Sequence, residues 1–488
     1  MTNNEAKNNG IVRVGDKKQI FVDGRFVESK KNVQIQVQSP ETVGEKCIES
    51  GMYFHDASEH TLVDGIDIPG YQHVCENDGN YKRFQFVSTD GVQWKRATKE
   101  ILDSGNFAYG MSRDVFFLDP TAPSEKRYIA VAGNDVVASR DGLRWAKIHL
   151  NVWPKEALLP YGMDSNNVYF YDEDIKKYLA YVRVNRRDES PPAHLAYFSG
   201  PTEWGPYVRG ANLTRCVGRS ETEDLSSFPV PQIVLGPDEE DPFMDGVQVM
   251  DFYNPEVNKY PHAQAAYFMF PNRFLHYQHW YIADDLAKYQ VRGDSPLSTG
   301  PMDIGFAASR DGIRWERYDR KPLIRNRQKS EFDKSYYPVH GLIAKGDELW
   351  LYYIDSPGHM RTSEGIYYRN VMYRAVFRKD GFTCVEADYS GGEFTTPPLT
   401  FEGEALHLNI DTSATGLARV EILDENAKPF SGYTLEECDR IHTANSTHRT
   451  VTWRKGRFEV GDLSGRPVRL RFELCYGVKL YAFRFGKQ

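Results

Sequence analysis

The chain has 488 residues, of which 40% are hydrophobic, 26% charged and 13% aromatic, with 30 Tyr, 27 Phe and a formal net charge of −8 at pH 7. The negative balance excludes nucleic acid and anionic membrane as principal partners, because both are polyanions that proteins bind through surplus Lys and Arg. No apolar run approaches the ~20 residues of a membrane-spanning helix, and six scattered cysteines without CxxC spacing supply neither a zinc-ligand set nor a disulfide framework.

Residues 1–10, MTNNEAKNNG, are polar and lack the apolar core of a signal peptide. That composition is expected of a cytoplasmic protein, or of a periplasmic or secreted one whose leader has been removed. Residues 18–38, KQIFVDGRFVESKKNVQIQVQ, read as a hairpin around Asp23-Gly24, followed by an alternating strand with Val33, Ile35 and Val37. Residues 1–40 are therefore expected to be an arm tying the N-terminus to the main body.

From 41 to 396 hairpin signals recur, and one motif repeats in register: STDGVQW at 88–94, SRDGLRW at 139–145 and SRDGIRW at 309–315. Each follows a short β-prone run. Asp-Gly marks a tight turn, because Gly accepts positive φ without steric cost, and the Trp starts the return strand. LAYFSGPTEW at 195–204 keeps Ser199 and Trp204, and YRAVFRKDGF at 373–382 keeps Asp380-Gly381. Five units at intervals of roughly 50–70 residues, with one interval of ~110 that implies an insertion at about 205–300, predict a five-bladed β-propeller over 41–396. Beyond 397 the strands PLTFEGEALHLNID, ARVEILDE, PVRLRFEL and KLYAFRF alternate without the motif. They predict a C-terminal β-sandwich over 397–488, so the chain as a whole reads as all-β.

In a propeller the innermost strands line a central funnel, and the residue heading each one approaches the axis. Those residues are Glu49 in CIESGMYF, Asp114 in MSRDVFFLD, Asp164 in YGMDSNNVYFYD, Asp245 in PFMDGVQVMDFY and His340 in YPVHGLIAKGDELWLYY. Any single acid there is an ordinary turn residue. Together, crowded carboxylates repel, which costs stability and drives their pKa values apart, as acid–base catalysis requires. Paired carboxylates flanking an acetal hydrolyse it: one protonates the leaving oxygen while the other activates water or attacks the anomeric carbon.

Arg113 beside Asp114 suits holding a carboxylate ionised or gripping a sugar hydroxyl, or it is an outward-facing surface side chain. Arg183, with Arg186 and Arg187 in YVRVNRRD, fits recognition of an acidic sugar or, more simply, a solvated charge run. PNRFLHYQHWY offers His276 and Trp280 for a sugar subsite, and ordinary packing explains the segment equally well. His276 and His279 have no third ligand, so no metal site is assigned. His359, after the strand LWLYYID, falls at the funnel rim.

These residues carry a resemblance. SRDVF at 112–116 is similar to the Arg-Asp-Pro region of glycoside hydrolase family 32, with Val115 in place of Pro. Acids heading blades one to three, with a His on blade five, resemble the arrangement in family 43. A five-bladed propeller followed by a β-sandwich, as in family 32, covers nearly the whole chain. Uncharacterised bacterial relatives of these families share the S-x-DG-x-x-W hairpins and a tail like RPVRLRFELCYGVKLYAFRF.

The resemblance implies Glu49 as nucleophile or base, Asp114 as transition-state stabiliser or pKa modulator and Asp164 as general acid, with Asp245 an additional carboxylate able to take the acid's place. Blade one lacks the Asn-Asp-Pro motif, and blade three offers Asp where both families carry Glu, so the site is better specified than the roles. The resemblance further implies a carbohydrate substrate, inverting chemistry and no required cofactor, a structural Ca²⁺ near His340 being compatible with it. Two other classes fit the sequence. A non-catalytic carbohydrate-binding propeller would keep the aromatics without needing convergent acids. A polysaccharide lyase would use His340 or a Tyr as base and release unsaturated products. Sialidase turns carry an additional residue between Asp and Gly, and the arginine triad of sialidases has no counterpart here.

Overall fold

The computed structural model describes residues 10–50, 53–56, 62–63, 66–67, 71–75, 81–84, 86–96, 116–140, 145–158, 162–163, 165–187, 213–244, 247–248, 250–275, 301–326, 335–356 and 370–487. They are all-β, and their helical elements are 3-10 turns of three or four residues.

Between 41 and 378 the strands form antiparallel meanders taken in chain order, except that Ser335–Pro338, antiparallel to Glu348–Ser356, meets Met302 in a parallel bridge that joins the third meander to the fourth. One sheet runs Phe116–Leu118, Tyr128–Ala132, Asp135–Ser139, Trp145–His149. The next runs Val168–Asp172, Lys177–Arg187, Leu213–Thr222, Gln232–Leu235. In the third, each strand is broken into two short runs: Met250–Phe252 with Val257–Lys259, Tyr267–Met269 with Asn272–Leu275, and Met302–Ile304 with Ala307–Ser309. Bridges from Glu316 and Ile324 edge it. The fourth runs Ile343–Lys345, Glu348–Ser356, Asn370–Arg378, and takes its last strand, Glu41–Ser50, from the other end of the chain. Tyr53–Asp56, Tyr71–Cys75 and Tyr81–Phe84, with Phe86–Val87 paired to Lys95–Arg96, keep the same order.

Consecutive sheets bury apolar faces against each other, which explains why central strands such as YIAVA are apolar on both sides. Phe117, Ile129 and Val131 share a cluster with Tyr169, Ala180 and Val182. Leu179 and Tyr181 share one with Met250, Phe252 and Tyr267. Phe274 and Met302 join Tyr337, Tyr352 and Ile354, and partly buried Val92 and Trp94 pack on the same cluster.

Two described copies of the repeated motif make the same bonds. Gly91 N and Gly312 N donate to Ser88 Oγ and Ser309 Oγ at 2.8 and 2.9 Å. The next two backbone N–H groups donate to Asp90 Oδ1 or Asp311 Oδ1, all at 2.8 Å. A tyrosine from a neighbouring sheet caps each turn: Tyr352 Oη donates to Gly91 O at 2.6 Å, and Tyr181 Oη donates to Gly312 O at 2.8 Å. Residues 141–144 of the third copy lie outside the described residues.

The unit expected at 195–204 also lies outside them, and the structure puts the corresponding turn at TEDLSSF, 222–228. There Asp224 N donates to Thr222 Oγ1 at 3.2 Å and Ser226 N to Asp224 Oδ1 at 2.8 Å, with Thr, Leu and Phe standing for Ser, Gly and Trp. The insertion expected at about 205–300 is corrected accordingly, since residues 213–235 and 250–275 supply regular strands of two sheets. At the fifth unit the turn differs. Asp380 itself takes positive φ, 60°, and the chain leaves the meander because Glu41–Ser50 already occupies the fourth place.

Apart from the two-stranded pairs Leu62–Val63 with Ile66–Asp67 and Phe243–Met244 with Val247–Gln248, the remaining described strands form two further sheets. One combines Val12–Gly15, Leu399–Phe401, Val468–Cys475, Gly392–Thr395, Ser29–Lys31, Leu417–Asp424 and Ile441–His442. The other combines Asn445–Thr450, Ala405–Asp411, Lys479–Gly486, Thr383–Ala387, Val33–Val37 and Gln19–Ile20. VRLRFELC alternates strictly between buried and half-buried, so Val468, Leu470, Phe472 and Leu474 enter one core with Leu406, Leu408, Ile410, Leu480, Phe483 and Phe485 of the second sheet.

Strands of these sheets start at Thr383, ahead of the texture change at 397. The hairpin expected around Asp23-Gly24 does not form. Asp23 instead caps a 3-10 turn, accepting from Arg25 N at 3.1 Å, and the flanking strands pair with residues 393–395 and 482–483. Cys47, Cys216, Cys384, Cys438 and Cys475 are free thiols.

Candidate functional site

Of the five residues predicted to converge, His340 is described in full. Glu49 is placed by its backbone, opposite Val371 at the end of Glu41–Ser50, and its side chain is outside the described set. Asp114, Asp164, Asp245, Arg113, His276, Trp280 and His359 lie outside the described residues. The strands that next follow these positions in the chain are Tyr53–Asp56, Phe116–Leu118, Val168–Asp172, Val247–Gln248 and Ile343–Lys345.

His340 meets a carboxylate that the repeat pattern does not single out. Its Nδ1 lies 2.7 Å from Glu256 Oε1, with the side chains 17% and 5% exposed. Asn258 Nδ2 donates to the same oxygen at 3.0 Å. Glu256 sits between Met250–Phe252 and Val257–Lys259, where Phe270 N donates to its carbonyl at 2.8 Å. Asn254, Glu256 and Asn258 are all buried, as are Pro255 and Val257 between them. Asn254 Nδ2 continues the polar line to Asn272 Oδ1 at 3.0 Å, and Asn272 Nδ2 continues it to Tyr336 O at 2.5 Å. The period of two among polar residues in FYNPEVNKY is the sequence signal for this line.

Arg183 corrects the solvated-charge-run reading. It is 1% exposed, on the second strand of its sheet, with its guanidinium 5.5 Å from the centroid of the Tyr253 ring. Arg215 approaches the same ring at 5.2 Å and forms a buried ion pair with Asp251 at 2.8 Å. The backbone of Arg183 also clasps the residue preceding Asp164. Met163 N donates to Arg183 O at 2.8 Å, Arg183 N to Asn167 Oδ1 at 3.0 Å, and Asn167 Nδ2 to Met163 O at 3.0 Å. Arg186 is used differently, donating to Pro237 O at 3.1 Å.

Glu256 Oε1, the carboxylate oxygen at His340, is thus taken by a ring nitrogen and an amide. Among the described residues no group of three or more His, Cys, Asp or Glu is placed to hold a metal ion. A cleft of about 310 Å³ lies elsewhere, lined by Val27, Lys30, Gln34, Glu316, Tyr318 and Val385 among others.

No family model matches the chain, and no curated protein matches it. Solved structures do. A thermostable family-43 glycoside hydrolase shares 13% identity over 71% of this chain and 96% of its own, with a TM-score of 0.40. A family-32 β-fructofuranosidase from Bombyx mori shares 8% over 95% of each chain, with a TM-score of 0.35. A β-1,2-mannobiose phosphorylase from Listeria innocua shares 12% over 71% and 97%, with a TM-score of 0.36. The chain resembles glycoside hydrolases of families 43 and 32, at a superposition too loose to carry an argument about its chemistry.

Proposed function

We propose that the chain is a glycoside hydrolase built as a five-bladed β-propeller, over about 41–380, with a C-terminal β-sandwich that residues 1–40 complete. The observation that carries the reading is the succession of short antiparallel meanders, each headed in sequence by an acid or a histidine. Supporting it, the meanders from 116 onward pack on one another in succession, and Trp94 of the first stands against Tyr352 of the last with ring centroids 5.6 Å apart, a contact that a ring of blades would use.

In this reading Glu49, Asp114, Asp164 and Asp245 surround the glycosidic bond. Asp164 or Asp245 protonates the leaving oxygen, Glu49 activates water, and Asp114 tunes the pair. We favour inversion, which predicts about 6.5–9.5 Å between acid and base. Arg113, His276, Trp280, His340 and His359 would hold the sugar, while Arg183, fully buried against Tyr253, acts as a brace.

The test is a screen against chromogenic glycosides and plant, algal and microbial polysaccharides, with product stereochemistry followed by NMR. New reducing ends are expected, and Asp114→Asn and Asp164→Asn should each lower turnover by about 10²–10⁴-fold. Ultraviolet-absorbing unsaturated products would instead identify a lyase. Unchanged turnover in both variants would remove those two residues from the chemistry, and binding without turnover would identify a lectin-like propeller.

A further inference from the structure

We propose that the end of the two C-terminal sheets that carries Tyr389 and Tyr476 binds a neutral glycan, whose sugar rings lie on the two aromatic side chains. The choice of ligand rests on the carbohydrate reading above, and the surface uses none of the funnel residues.

Three of the turns that carry the chain from one C-terminal sheet to the other lie at this end. They follow Ser29–Lys31, Thr383–Ala387 and Val468–Cys475. Register places them side by side: Lys31 pairs with Glu393 and Gly392 with Leu474 in one sheet, Val33 with Ala387 and Glu386 with Lys479 in the other. Asn32 ties the first two turns together, since Asp388 N donates to its carbonyl at 3.0 Å and its Nδ2 donates to Gly391 O at 3.3 Å. A Cβ at Gly477 would lie 3.9 Å from the Tyr389 ring, so that ring leans on the third turn. The Tyr389 and Tyr476 rings meet edge to face, 6.0 Å between centroids and 72° apart. A platform ordered in advance loses less entropy when a ligand settles on it.

Tyr389 is 70% exposed and Tyr476 50%, and among the described residues of the two C-terminal sheets and their turns they are the exposed large hydrophobic side chains. Tyr476 also takes positive φ, 60°, where a bulky residue is an outlier and Asn, Asp or Gly would sit with less strain. Neither burial nor backbone geometry therefore accounts for an aromatic side chain there. A tyrosine offers an electron-rich face to the C–H groups of a sugar and a hydroxyl to its oxygens. Asn32, Asp388 and Ser390, exposed in the same turns, add polar partners. Area argues against a protein partner: the two rings present roughly 300 Å², against about 800 Å² on each side of a standard protein interface.

The experiment is affinity gel electrophoresis of the full-length protein in gels containing soluble plant, algal or microbial polysaccharides. Wild type is compared with Tyr389→Ala and Tyr476→Asn. At least one polysaccharide should retard wild type, and each variant should bind it about tenfold more weakly. Binding in the funnel is common to all three proteins, so the difference reads the sheet end alone. Tyr476→Asn relieves backbone strain, so its thermal midpoint should equal or exceed that of wild type while its affinity falls. A tyrosine with only a structural role would lower both together.

Equal retardation of wild type and both variants overturns the proposal, as does a wild type that none of the polysaccharides retards. Dimerisation that both variants lose, without glycan binding, overturns it in favour of a second copy of the chain. Turnover with unchanged binding in the variants sinks this proposal and leaves the hydrolase reading standing. Tyrosine-dependent binding without turnover does the reverse.

Discussion

The two C-terminal sheets and the meandering sheets are built from the same kind of strand and are held together differently. The C-terminal pair meets across one continuous apolar core, in which Phe394 stacks on Phe472 with centroids 4.8 Å apart and Trp453 is fully buried. The meandering sheets divide their apolar side chains among several smaller clusters and add polar bonds between neighbouring sheets. Tyr181 and Tyr352 cap turns of neighbouring sheets. Asp172 receives Lys259 and Tyr267 from the next sheet, and Arg215 reaches Asp251. Apolar contact is non-directional. Sheets that pack in succession need register, and directional bonds supply it.

The largest effect should come from the apolar side of that contrast. Trp453→Ala empties a fully buried site and removes the Nε1–H bond to Val420 O at 3.0 Å, so calorimetry should find a loss of about 3–5 kcal/mol. A loss below about 1 kcal/mol would show that the core closes without the indole.

Next is the polar junction. Burial pushes the Asp172 carboxyl up, but hydrogen bonds from Lys259 and Tyr267 outweigh it and hold the group below its ordinary value of 3.8. A depressed carboxylate lends stability that is fully present above its unfolded value and is lost as pH falls through its folded value. Asp172→Asn should therefore cost about 3 kcal/mol at neutral pH. Its deficit should shrink on acidification below about pH 4, as read from urea midpoints across the pH range. A pH-independent deficit would mean that charge is not what the junction uses.

Turn substitutions come third. Gly312 has φ +70°, and a Cβ there would lie 2.4 Å from Tyr181 Oη, so Gly312→Ala should cost about 2 kcal/mol. Asp311→Ala deletes the acceptor of Ile313 N and Arg314 N and should cost about 1–2 kcal/mol, with turnover of the folded protein retained. A stable but inactive Asp311→Ala would move the functional site to that face. Smallest is Tyr181→Phe, about 1 kcal/mol. If its effect equals that of Tyr352→Phe, the caps are equivalent; if Tyr352→Phe costs much more, the bond between the last and first meanders closes the assembly.

Much of this was legible in the chain. VRLRFELC announced a strand with one buried face, and S-x-DG-x-x-W announced a turn whose Ser and Asp satisfy consecutive backbone N–H groups. The features that were not legible have physical causes. TEDLSSF keeps a hydroxyl and the carboxylate that make the turn's bonds, with Thr for Ser, and loses the Gly and Trp by which the motif is recognised. Arg183 reads as solvated because its burial depends on Tyr253, a residue of another sheet. Glu256 comes after Pro255 in a run that reads as a loop, although residues 254–258 are all buried. The destination of residues 12–37 cannot be read locally, since the partners of these strands lie at the far end of the chain.

That last arrangement bears on biosynthesis. Glu41–Ser50 leaves the ribosome roughly three hundred residues before its partner Asn370–Arg378, and Val12–Gly15 waits longer still for Leu399–Phe401. At about 5–20 residues per second the early strands spend tens of seconds unpaired. Their solvating residues, Lys30, Lys31, Glu41, Glu45 and Lys46, fall where exposed edges would otherwise recruit other nascent chains. Emergence of Asn370–Arg378 and Leu399–Phe401 is then the event that pairs the early strands.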